Sequence, residues 1–76
     1  MSEKSLRELE FEIFCIENLA VRLQVNPREA YDLLAKKTDL LQTYIGPGYD
    51  VLHTQDKDYI VNDLIEALKL KGMEVA

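Results

Sequence analysis

A chain of 76 residues carrying 14 acidic and 9 basic side chains, net charge −5, holds one domain at most, which excludes a two-domain enzyme. Hydrophobic residues make up 47% and charged residues 30%, with 3 glycines and 2 prolines, the composition of a folded globular domain and not of a disordered chain. The single cysteine and single histidine exclude an internal disulfide and a zinc finger, and the acidic balance repels phosphate and favours a neutral or basic partner.

No apolar run approaches the ~18 residues of a membrane span, and the charged start at Glu3, Lys4, Arg7 and Glu8 does not read as a signal peptide. The expectation is a cytoplasmic protein without a membrane segment, metal or cofactor, forming one helical domain over residues 1–76 with an ordered core over about 5–72.

Ser5 and Glu8 have capping-box spacing and predict the start of a long first helix. Leu6, Leu9, Ile13, Ile16, Ala20 and Leu23 recur at steps of 3, 4, 3, 4 and 3, which places one apolar stripe on one side of that helix and predicts that it is core. Phe11, Phe14 and Val21, with Asn18 between, form a second apolar face about half a turn away, flanked by Glu8, Glu10, Glu12 and Glu17. Two faces admit two explanations: the helix runs through its own bundle, or the second face docks another chain. Cys15 lies near the phenylalanines, with neither a helix N-terminus nor a cationic neighbour to activate it, and reads as a small hydrophobe.

Asn26, Pro27 and Glu29 supply an N-cap, a first-turn proline and an N3 acid, so a second helix of about ten residues starts at Pro27. Ala30, Leu33 and Leu34, with Tyr31 beside them, give it an apolar side, and Lys36 and Lys37 suit its negative end. Thr38 and Asp39 cap a short third helix through Leu40, Leu41, Tyr44 and Ile45, which Gly46, Pro47 and Gly48 stop. A loop is expected from Tyr49 to Gln55, with a brief extended segment over Tyr49 to Thr54 as an alternative. Asp56 or Thr54 caps a C-terminal amphipathic helix through Ile60, Val61, Leu64, Ile65 and Leu68, Gly72 ends it, and the tail from Met73 is expected to be loose. The fold class is therefore all-α, a small bundle of about four helices with a long first helix and short middle ones.

Leu19, Ala20, Leu23, Val25, Ala30 and Leu33 have the spacing of a helix-turn-helix, but Gln24 stands where glycine is usual, and Glu29 and Asp32 would face nucleic-acid acceptors. Two helices packed at a corner explain the same pattern without DNA. His53 is the chain's one imidazole, the side-chain type suited to carrying protons, and Asp50, Thr54 and Asp56 are near enough in sequence to orient it. No phosphate loop, nucleophile elbow or metal-ligand spacing accompanies it, and Asp58 and Asp63, five apart, lie on different helix faces. A histidine beside Leu52 is expected to bury its ring and bond a backbone carbonyl, tying the loop to the bundle. Tyr31, Tyr44, Tyr49 and Tyr59 combine an apolar ring with a surface hydroxyl, a role that also suits interface anchors.

The segments Leu9 Glu10 Phe11, Phe14 Cys15 Ile16 Glu17, Tyr49 Asp50 Val51 Leu52 His53 Thr54 Gln55, and Tyr59 Ile60 Val61 with Asp63 resemble the domain-of-unknown-function 3791 family of small bacterial proteins, over roughly Leu9 to Gly72. The resemblance implies an all-helical cytoplasmic domain with no catalytic residues to carry over. Genes beside some relatives resemble ADP-ribosyltransferase-like toxins, which implies a neutralising partner. Gly46 and Gly48 depart from the branched residue and asparagine that the family places around the proline, implying a more flexible loop here.

The expected function is that of a non-enzymatic helical protein-interaction domain, antitoxin-like or regulatory, which binds a partner protein or its own copy through Phe11, Phe14, Asn18 and Val21. Tyr49, His53, Thr54 and Tyr59 serve recognition or tie the loop. The alternatives are a helix-turn-helix regulator of transcription and an enzyme centred on His53.

Overall fold

The computed structural model describes residues 6–74, and every regular element among them is helical. The chain runs through α1 (Leu6–Leu23), α2 (Pro27–Ala35), a π-helical turn (Leu41–Ile45), α3 (Tyr49–Leu52) and α4 (Lys57–Leu70). The all-α bundle stands as the sequence predicts. The element added to the expected four is α3, which takes the place of the loop, or extended segment, expected after Gly48.

Local chemistry sets most boundaries. Asn26 accepts from the Glu29 backbone N–H at 2.9 Å while its own amide reaches back to the Glu29 carboxylate, and Pro27 fills the first turn of α2. Asp56, and not Thr54, caps α4 by accepting from the Tyr59 N–H at 2.8 Å; the Thr54 hydroxyl donates to the Val51 carbonyl. The expected cap of α1 rests on Ser5, which lies outside the described residues.

α1 and α4 end in the same way. At α1, Gln24 N–H donates to Val21 O and Val25 N–H to Ala20 O; at α4, Gly72 N–H donates to Lys69 O and Met73 N–H to Leu68 O. Each pair is a Schellman closure whose pivot takes a left-handed conformation, Gln24 at φ 58° and Gly72 at φ 87°. This closure folds Met73 back against the core, where the sequence led us to expect a loose tail.

One apolar cluster joins all five segments, with Cys15, Leu19, Ala30, Leu34, Ile45, Leu64 and Leu68 at its centre. All five residues expected to line α4 are buried. The core side of α1 differs from the expectation: Phe11, Glu12, Cys15, Leu19 and Ala20 are buried, whereas Leu6, Leu9 and Ile13 are exposed. Length explains part of the difference. At ~1.5 Å per residue, nine-residue α2 is about half as long as 18-residue α1, so it covers the stripe near Ala20 and Leu23 and leaves the N-terminal half of the stripe overhanging. Glu12, expected on a solvated flank, is buried, with its carboxylate beside Gly46.

Candidate functional site

The solvent side of α1 carries the largest group of exposed apolar side chains in one element. Leu6, Leu9 and Ile13 are between 46% and 71% exposed, Phe14 is 38% exposed and Val21 76%. Helical geometry, about 100° per residue, sorts them into two rows: Leu6, Leu9 and Ile13 in one, Phe14 and Val21 in the other. Exposed Glu10 and Glu17 run between the rows.

Only part of the expected docking face lies on this surface. Phe14 and Val21 are exposed, and Asn18 is half-buried, its side-chain amide donating to the Phe14 carbonyl at 2.8 Å. Phe11 is a correction: its ring belongs to the core, because α3 brings Tyr49 edge-on against it at 5.5 Å. Leu6, Leu9 and Ile13, assigned to the core by periodicity, take its place at the surface.

Four rings chosen separately from the sequence meet in one array. Phe14 stacks near Phe11 at 6.1 Å, Phe11 meets the Tyr49 edge, and Tyr49 stacks on His53 at 4.4 Å. His53 Nδ1 lies 2.6 Å from the Tyr49 carbonyl oxygen. A carbonyl only accepts, so Nδ1 carries the proton and Nε2 presents the lone pair in the neutral ring. The bonded carbonyl lies four residues back in the same segment, so the contact closes α3 locally and does not tie the segment to the bundle as expected, and the ring is exposed and not buried. Of Asp50, Thr54 and Asp56, the neighbours expected to orient it, Thr54 and Asp56 are occupied in a turn and a helix cap and Asp50 is exposed. Tyr59 stands apart at the start of α4, where it lines a cleft with Tyr44, Pro47, Val51 and Asp63.

Cys15 offers no nucleophile to this array. Burial and then the Glu12 charge beside it push its thiol up to about 12, which keeps it protonated at physiological pH. No group of three or more His, Cys, Asp or Glu side chains among the described residues has the geometry to hold a metal ion, and no described helix is long and apolar enough to cross a membrane.

At the corner between α1 and α2, where the sequence has helix-turn-helix spacing, Ala20 and Ala30 are buried and Gln24 takes the positive φ that glycine usually supplies. Its cations are partly engaged: Arg22 bonds the Asn62 amide of α4, and Lys36 lies 3.8 Å from Asp32.

Residues 10–71 match a family described as Protein of unknown function (DUF3791). This span is most of the chain, so the protein belongs to that family, as the motifs around Phe14 and Tyr49 led us to expect. No curated protein and no solved structure matches it.

Proposed function

We infer that this member of the DUF3791 family is a non-enzymatic interaction module that docks a partner protein on the exposed face of α1. The observation that carries the reading is the exposure of Leu6, Leu9 and Ile13 on the solvent side of α1, beside Phe14 and Val21. Contiguous exposed apolar side chains of this kind mark docking surfaces, and covering one Leu or Ile contributes on the order of 1–2 kcal/mol. Small size and net acidity support an antitoxin-like or regulatory role in the cytoplasm. The inert thiol of Cys15 and the engagement of Thr54 and Asp56 beside His53 weigh against chemistry.

The test is a tagged pull-down from cells that co-express the chain with its genomic neighbours, comparing wild type with Leu9→Ser/Ile13→Ser. A stoichiometric complex that the double variant loses, while its helicity is unchanged, is the expected result. A complex that the double variant retains overturns the assignment of this face.

A second reading, DNA binding through α2, is favoured by the left-handed Gln24 at the corner. Glu29, Asp32 and the net charge of −5 oppose it. Absence of any DNA complex at low salt would eliminate it.

A further inference from the structure

We propose that the occupant of the α1 face is a basic amphipathic helix with Lys or Arg recurring every seven residues, and not a second copy of this chain; the inference rests on the docking reading above. Glu10 and Glu17 are seven residues apart, two turns and ~10.5 Å along the axis, with apolar side chains on both sides of their line. Both are exposed, and neither forms an ion pair among the described residues. A partner helix that lays apolar residues over Leu9, Ile13 and Phe14 removes water from around this line of carboxylates. A carboxylate covered in that way is satisfied only by a cation or a hydrogen-bond donor from the partner. A cation every seven residues meets both acids from one helix face.

A second copy supplies the opposite chemistry. In an antiparallel pair, Glu10 and Glu17 of both chains share one seam, four carboxylates against the two exposed Arg7 guanidiniums that extend the Phe14 row, between two chains that each carry −5. An anionic lipid surface is repelled for the same reason. Charge complementarity therefore selects a basic helix for a face whose apolar rows would otherwise accept any amphipathic one.

The probes are three labelled synthetic helices with the same leucine seam, flanked by Lys, Gln or Glu, titrated by fluorescence anisotropy. They are measured against wild type, Glu10→Lys/Glu17→Lys, the milder Glu10→Gln/Glu17→Gln, and Leu9→Ser/Ile13→Ser, with circular dichroism to verify each fold. Wild type is expected to bind the Lys-flanked helix about tenfold tighter than the Gln-flanked one, from two charge pairs partly shielded from water. The Lys variant reverses the order in favour of the Glu-flanked helix, the Gln variant levels it, and added salt weakens the Lys-flanked complex. An order of affinity that the charge variants leave unchanged overturns the basic-helix proposal; the docking face itself survives if Leu9→Ser/Ile13→Ser still abolishes binding. If that variant binds all three helices as wild type does, the docking face falls as well. A wild-type dimer in light scattering that Leu9→Ser/Ile13→Ser disperses makes the second copy the occupant and also overturns the proposal.

Discussion

Gly48 precedes α3 at φ −85°, a value open to any residue, so backbone freedom is not what requires glycine there. A Cβ would stand 2.5 Å from the Tyr44 carbonyl oxygen and 3.1 Å from Leu52 Cδ1. The glycine at this position, which suggested a flexible loop, thus accompanies a close approach that α3 is built on. Gly48→Ala should lower stability by about 1–3 kcal/mol in urea titration through overpacking against backbone. Gln24 presents the converse case, since it holds the left-handed pivot that Gly72 holds at the end of α4. Relief of its strain exceeds the added freedom of the unfolded chain, so Gln24→Gly should raise the melting temperature by about 2–6 °C; an unchanged or lower value contradicts that reading. Caps such as Asn26 and Asp56 were legible because their chemistry lies within three residues. The conformation of Gln24 was not, because nothing local in a glutamine announces positive φ.

At the scale of elements, periodicity identified α1, α2 and α4 and the buried side of α4. It misassigned α1 because a regular stripe states which residues share a side, not which neighbour is long enough to cover them. Phe11, Cys15 and Leu19 advance by four, a weaker pattern than the 3–4 stripe, yet all three are buried in the cluster, Phe11 against Tyr49 of α3. Signals for α3 were absent: its N-cap is Gly48, without a side-chain bond, and Pro47 and Gly48 suggested a break. The π-helical turn was equally hidden, since its Gly46 N–H to Leu41 O closure differs from an α-helix by one residue of register and not by composition. Of the candidate docking residues, Phe14 and Val21 were legible as an extra apolar face; Leu6, Leu9 and Ile13 were visible as apolar but credited to the wrong side of the wall.

Across the whole molecule, a single long-range ion pair among the described residues closes the bundle, Lys71 Nζ to Asp39 Oδ1 at 3.0 Å, joining the end of α4 to the approach to the π-turn. The Lys71 hydrogen bond and charge hold the Asp39 carboxyl below its ordinary 3.8. A carboxyl depressed in the folded state stabilises above its unfolded pKa and loses that contribution as pH falls through the folded value. The urea midpoints of wild type and Asp39→Asn should therefore differ near about pH 6 and converge near about pH 2, with salt reducing the difference. Both functional proposals depend on which side of α1 faces inward, and thermal unfolding of Phe11→Ser against Leu9→Ser/Ile13→Ser measures this without any partner. Phe11→Ser is expected to lose about 3–5 kcal/mol, much of the stability of a domain this size, while the double variant stays within about 1 kcal/mol of wild type. A double variant that unfolds while Phe11→Ser melts like wild type would put the 3–4 stripe in the core and contradict the docking face.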